Sequence, residues 1–295
     1  MRHTLTTLRK RLAAGHKLSM LTCYDASFAR AMDDAGVDSL LVGDSLGMVV
    51  QGHDSTLPVT VADVAYHVRC LARGSRRPWL VADMPFGSYH ESLEQGMRHA
   101  VLLMQAGAQM VKLEGGAELA PLVQRLVAAG IPVCGHVGLL PQQVHAMGGF
   151  RVQGREAEAA DRIVADAQAL EAAGAAMLVI EGVPEPVARR VCESTRDILT
   201  IGIGASAACD GQVLVIHDML GLTAKPARFV KDFAAAVVHE ALATGQAPAE
   251  GLVTAAFRRY VNDVAAGRFP GAEHVYGVTD RAASGVYGAA GDASA

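Results

Sequence analysis

Eight short apolar runs punctuate the chain between residues 18 and 217, separated by longer amphipathic or alanine-rich stretches. The runs are Leu18 to Thr22, Ser39 to Asp44, Trp79 to Met84, Met110 to Glu114, Pro132 to His136, Met177 to Glu181, Leu199 to Gly204 and Gln212 to His217. A strand buried on both faces reads as an unbroken apolar run, and alternation of such runs with helices builds a parallel sheet. Repeated eight times, the pattern predicts an α/β fold, a (β/α)8 TIM barrel. Intervening helices include Ser27 to Ala35, Val61 to Arg73, Ser92 to Ala106, Ala117 to Ala129 and Arg155 to Ala173, several closed by Gly or Ala-Gly. Only seven residues separate Gly204 from Gln212. A parallel crossover takes about a dozen, so the seventh helix is expected to be a single turn or missing. Asp232 to Ala243 reads as the eighth helix, Leu252 to Ala265 as an extra C-terminal helix, and Thr4 to Ala14 as an N-terminal one. With no linker and no repeat beyond the βα unit, residues 1–277 are expected to form one barrel domain. Residues 278–295, rich in Gly, Ala and Ser, are expected to be a disordered tail.

Composition narrows the class of partner. A chain of 295 residues that is 51% hydrophobic and 19% charged buries a large core, which excludes general disorder. The net charge is −4 and the Lys and Arg residues are scattered, so there is no basic stripe for nucleic acid or anionic lipid. A small-molecule partner is favoured. Charged residues interrupt every apolar stretch before it reaches the roughly 18–20 residues of a membrane span. Met1 to His16 is basic but lacks the apolar centre of a secretory signal, which makes the expected location cytoplasmic. Cys23, Cys70, Cys134, Cys192 and Cys209 are dispersed, without zinc spacing, and read as reduced, mostly buried thiols.

Four of the apolar runs carry a carboxylate at their ends: Asp44, Asp83, Glu114 and Glu181. In a barrel the C-terminal edge of the sheet holds the ligand site, so these acids are expected to meet in one mouth. Each also has a local reading. Asp44 can cap the next helix, Asp83 can form a turn before Met84-Pro85, and Glu114 can be an exposed loop acid before Gly115-Gly116. Their recurrence at successive strand ends favours the shared site. Clustered carboxylates repel unless a cation lies between them, and oxygen donors without thiolates or paired His favour Mg2+ over zinc. Lys112 leaves the same strand face as Glu114, either to neutralise a bound anion or to make an ordinary ion pair. His136 is a secondary site candidate or a core histidine bonded to backbone. Glu181 follows four apolar residues, a setting that suits a general base. Gly202-Ile203-Gly204-Ala205-Ser206-Ala207 fits a dinucleotide pattern without the long helix that should follow, leaving a phosphate cradle as the other option.

Collinear motifs then carry a family resemblance from about Thr4 to Gly277. They include Met20 to Asp25, Leu41 to Gly47, Asp83 to Tyr89, Val111 to Gly116, Gly135 to Leu139 and Val152 to Gly154. The series continues with Ile201 to Gly204, Cys209 to Val215, Phe229 to Lys231 and Gly267 to Pro270. With these the chain resembles the ketopantoate hydroxymethyltransferase family. The resemblance implies a Mg2+-dependent enzyme that transfers a one-carbon unit from 5,10-methylenetetrahydrofolate, a co-substrate, to the keto acid 3-methyl-2-oxobutanoate. The product would be 2-dehydropantoate, on the route to pantothenate and coenzyme A. Position by position, Asp44, Asp83 and Glu114 match the family's metal ligands. Asp44 with Ser45, Asp83 and Lys112 matches its keto-acid contacts, and Glu181 its proton acceptor. It further implies a homo-oligomer, with decamers known in the family. Leu140 replaces a Thr common before Pro-Gln, and Ala205-Ser206 replaces a more usual Ala-Gly, which bears on loops expected to border the folate pocket. Two rivals stay open. One is another Mg2+-dependent keto-acid aldolase or carbon-carbon lyase, although the lyases' K-x-C-G-H-type segment has no match here. The other is a non-catalytic keto-acid or phosphate-binding barrel, which would not need a base at Glu181.

Overall fold

The computed structural model of the chain describes residues 1–278 and Val286. Its strands are β1 (Leu18–Thr22), β2 (Ser39–Val42), β3 (Trp79–Asp83), β4 (Met110–Glu114), β5 (Val133–Gly138), β6 (Met177–Glu181), β7 (Leu199–Ile203) and β8 (Gly211–Leu214). Each pairs in parallel with its sequence neighbour, and β8 returns to β1 in the register Leu18↔Gly211 to Leu21↔Leu214, closing the barrel. Every strand residue is buried, which is why the strands read as unbroken apolar runs.

The helices are α1 (Leu5–Ala13), α2 (Ala26–Ala35), α3 (Leu46–Val49), α4 (Val61–Gly74), α5 (Leu93–Ala106), α6 (Ala120–Ala128), α7 (Ala157–Ala172), α8 (Glu185–Ser194), α9 (Ile216–Met219), α10 (Phe233–Thr244) and α11 (Leu252–Ala265). Side-chain caps set several of their starts. Asp25 accepts from the Ser27 and Phe28 N–H groups at α2, Thr60 and Asp63 form a capping box at α4, and Ser92 accepts from Gln95 N–H at α5. The β7–β8 link contains no helix, in keeping with its length. Several boundaries differ from the sequence reading, and two of them bear on the site. Strand β2 stops at Val42, so Gly43-Asp44 lie beyond it, and β8 stops at Leu214 because Ile216–Met219 wind into the short helix α9. Helix α8 fills the β6–β7 crossover, as the alternating pattern requires.

Beneath the N-terminal end of the barrel, α1 buries Leu8 and places Arg11 2.7 Å from Asp38. Asp38 also accepts from the Ser19 N–H and hydroxyl, tying α1 to the starts of β1 and β2. The barrel interior and the strand–helix interface form one contiguous apolar cluster. None of the described helices is long and apolar enough to cross a membrane. The expected tail at 278–295 lies outside the described residues except at two positions. Val278 is exposed, and Val286 is buried with its N–H donating to the Phe150 carbonyl.

The seam between β1 and β8 is backed by α11. The buried Tyr260 hydroxyl lies 3.0 Å from the Met20 carbonyl and 2.8 Å from the Gln212 carbonyl, one on each seam strand. Tyr260→Phe removes that donor and keeps the ring, so the expected loss is about 1–3 kcal/mol of stability. Urea unfolding checks it: the midpoint should fall with the slope unchanged, and an unmoved midpoint would mean that the hydroxyl does not hold the seam.

Candidate active site

The parallel register gathers the site. Asp83 pairs with Lys112 across β3 and β4, Glu114 pairs with His136 across β4 and β5, and Gly138 pairs with Glu181 across β5 and β6. Asp83, Glu114 and Glu181 are the last residues of their strands, while Asp44 follows β2 by two residues. All six titratable groups, Asp44, Asp83, Lys112, Glu114, His136 and Glu181, are at most 5% exposed. They line one cavity of about 190 Å³ at the C-terminal mouth, together with Ser45. At the end of β5 the chain must pass close to Glu181. Gly138 has φ +94°, and a Cβ there would strike the Glu181 carbonyl, so only glycine fits.

Lys112 lies at the centre of the cluster. Its Nζ is 2.7 Å from Asp83 Oδ1, 3.8 Å from Glu114 Oε1 and 3.4 Å from His136 Nδ1. His136 spans the next two acids, with Nδ1 3.4 Å from Glu114 Oε1 and Nε2 3.3 Å from Glu181 Oε2. Asp83 Oδ2 accepts the Asp44 backbone N–H at 2.9 Å. Gln142, on the turn after β5, ties the other side together. Its N–H donates to Glu114 Oε2 at 2.9 Å, and its amide donates to Asp44 Oδ2 at 2.8 Å and to the Met84 carbonyl at 3.0 Å. Its side-chain carbonyl accepts from the Tyr89 hydroxyl at 2.7 Å. Ser45 Oγ lies 2.9 Å from the Tyr24 hydroxyl.

Electrostatics follows this geometry. Burial alone would lower Lys112, but Asp83, Glu114 and Asp44 reverse that and hold its ammonium above the ordinary range. Burial and Lys112 push His136 down, yet Glu114 and Glu181 raise it to about 9, so it is an imidazolium at neutral pH. Glu114 is pushed up by burial and brought below its usual value by His136 and Lys112. Burial keeps Asp83 raised despite Lys112. Asp44 is raised well above the carboxylate range by burial and by repulsion from Asp83 and Glu114. Its side chain has an amide donor in Gln142 and, among the described residues, no cation within ion-pair distance.

Asp44, Asp83 and Glu114 present hard oxygen donors without thiolates, the chemistry Mg2+ takes, and a cation bound there would favour the ionised form of Asp44. Among the described residues no three acids, histidines or cysteines are drawn together into a ready ligand group, because the Lys112 ammonium stands between Asp83 and Glu114.

The structure brings Asp44, Ser45, Asp83, Lys112, Glu114, His136 and Glu181 to one cavity, and it decides several local alternatives. Asp44 caps no helix, since α3 has no side-chain cap. Glu114 is buried rather than an exposed loop acid. Lys112 makes the ion pair and lines the cavity as well. His136 lies between two carboxylates instead of against backbone. In the glycine-rich segment after β7 the tight packing has a local reason. Gly204 has φ +56°, and a Cβ there would lie 2.5 Å from Phe229 Cδ1. Ser206 is fully buried and donates to Glu185, and neither it nor Leu140 lines the cavity. Sequence reasoning missed Gln142, Tyr89 and Tyr24. Tyr89 and Tyr24 lie inside the matched motifs, and Gln142 in the noted Pro-Gln step, but polar uncharged side chains give no periodic or charge signal. All five cysteines are unpaired thiols, three of them buried.

Buried acids, an ammonium and an imidazolium at the C-terminal mouth of a closed parallel barrel define a (β/α)8-barrel enzyme. The sequence profile of the family described as ketopantoate hydroxymethyltransferase matches residues 2–272. The chain is 56% identical over 274 residues to the 3-methyl-2-oxobutanoate hydroxymethyltransferase of Azoarcus sp. (strain BH72), covering 92% of this chain and 96% of that protein. It is 52% identical over 278 residues to the protein of the same name from Dechloromonas aromatica (strain RCB), covering 93% and 96%. The chain therefore belongs to the ketopantoate hydroxymethyltransferase family. Its fold is also similar to phosphoenolpyruvate phosphomutase from Streptomyces platensis subsp. rosaceus, with a TM-score of 0.57 over 83% of this chain and 89% of that one. At 16% identity this is a likeness of fold alone.

His136 makes the site's stability depend on pH. Its folded pKa of about 9 exceeds the ordinary 6.5, so its contribution is full below pH 6.5 and lost as pH rises through about 9. In metal-free buffer, the difference in melting temperature between wild type and His136→Gln should therefore shrink between pH 6.5 and 9. A difference that stays constant over that range would show that the imidazole is neutral in the folded protein.

Proposed function

We propose that this chain transfers the one-carbon unit of 5,10-methylenetetrahydrofolate to 3-methyl-2-oxobutanoate, forming 2-dehydropantoate for pantothenate synthesis. The observation that carries the reading is Glu181, linked through His136 and Glu114 to the Lys112–Asp83 pair, in a chain of this family. Asp44, Asp83 and Glu114 would hold Mg2+. When bound, that ion supplies positive charge to the keto acid's oxygens, acting as Lewis acid and template.

The remaining steps belong to the side chains. Ser45, with Asp44 and Asp83, lies on the wall where the keto acid is expected to bind, and Lys112 offsets the charge of its carboxylate or developing enolate. Glu181 takes the C3 proton, and the His136 imidazolium 3.3 Å away fixes the orientation of that carboxylate. The enolate carbon bonds to the folate-borne methylene as one of its two C–N bonds breaks, and water replaces the second nitrogen, so that the hydroxymethyl product and tetrahydrofolate leave with the protons on the folate nitrogens. Burial of the whole cluster keeps bulk water from quenching the enolate. A cytoplasmic, homo-oligomeric enzyme completes the reading, supported by family membership.

The test is loss of 5,10-methylenetetrahydrofolate by purified protein with 3-methyl-2-oxobutanoate, with and without Mg2+, and the product identified by mass. Turnover to 2-dehydropantoate is expected only with Mg2+. In Glu181→Gln it should fall about 10²- to 10⁴-fold, the usual scale for a general base. Unchanged turnover would remove Glu181 from that role. Binding of keto acid and metal without folate consumption would overturn the transferase reading in favour of a lyase or aldolase.

A further inference from the structure

One buried acid on the cavity wall has no part in the chemistry above. Asp218, in the short helix α9 directly after β8, is 6% exposed and lines the same cavity as Asp44 and Ser45. Its Oδ1 accepts from the Thr223 hydroxyl, while Oδ2 accepts no hydrogen bond from a described residue. No Lys, Arg or His among the described residues lies within ion-pair distance of it, although Lys225 lines the same wall. The same cavity is also lined by the apolar side chains of Met48, Val49, Phe150 and Ala227. A carboxylate buried without a cation is costly unless N–H donors reach it, so this one is built for a ligand that brings them.

A flat ring with one edge of adjacent N–H groups meets that requirement. The pterin of a reduced folate has such an edge in its ring N3–H and its 2-amino group, which match the two oxygens of a carboxylate. We propose that Asp218 binds this edge, with Thr223 orienting the carboxylate and the apolar wall covering the ring faces. The inference rests on the folate donor proposed above and assigns the part of the cavity where the carrier sits.

The test uses the full chain with Mg2+. It measures calorimetric affinity for tetrahydrofolate and for its 2-desamino analogue, alongside exchange of the keto acid's C3 proton in D2O without any folate. Wild type should bind the analogue about 10- to 100-fold more weakly, the scale of hydrogen bonds to a charged group. Asp218→Asn should lose affinity for tetrahydrofolate by a similar factor and no longer distinguish the two ligands, while C3 exchange proceeds. Thr223→Val should weaken tetrahydrofolate in the same direction, and it keeps the test open if Asp218→Asn fails to fold. Wild-type affinity in both variants, continued discrimination by Asp218→Asn, or an equal loss of C3 exchange would overturn the assignment. A wild type that exchanges the C3 proton but never binds tetrahydrofolate would overturn the folate donor itself, a separate failure.

Discussion

The ion pair between Lys112 and Asp83, 2.7 Å long and buried on every side, is the interaction on which the site depends. Three carboxylates sit within the reach of one ammonium, and without it their mutual repulsion in a low-dielectric mouth would force protons onto them. The pair achieves more than stability. It holds Asp83 and Glu114 in place while leaving Asp44 with no cation within ion-pair distance among the described residues.

The barrel supplies this arrangement through register. Parallel pairing sets Asp83 opposite Lys112 and Glu114 opposite His136, so each cation faces an acid on the neighbouring strand. His136 then passes the contact on to Glu181 on β6. The helices and turns add precision. Gln142 engages Asp44 and Glu114 from a single turn, and Tyr89 anchors its amide. A one-residue slip of any of these strands would turn its acids out of the mouth.

Much of this was legible in the sequence because each signal is one-dimensional. Strands buried on both faces write continuous apolar runs, and an acid closing such a run announces itself; hence the barrel and the positions of Asp83, Glu114 and Glu181. The missing seventh helix followed from counting residues between Gly204 and Gln212. Contacts that join distant segments were not legible. Gln142 meets Asp44 across 98 positions, and nothing near either residue encodes that. Helix α9, only four residues long, was absorbed into the eighth strand, and with it went the chance to see Asp218 as a cavity residue. The resemblance to a family supplied the substrate and carrier, which no periodicity contains.

The most direct test of the account is the pH dependence of stability in Lys112→Met, measured by denaturant unfolding in metal-free buffer. Without the ammonium the folded pKa values of Asp44, Asp83 and Glu114 all move up, so their penalty is absent below about pH 4 and grows as pH rises through those values. The account predicts a variant close to wild type at pH 4 and less stable by about 3–5 kcal/mol at pH 7, the cost of leaving one partner of a buried pair alone. Equal stability at both pH values would contradict it, for the acids would then be held by something other than Lys112.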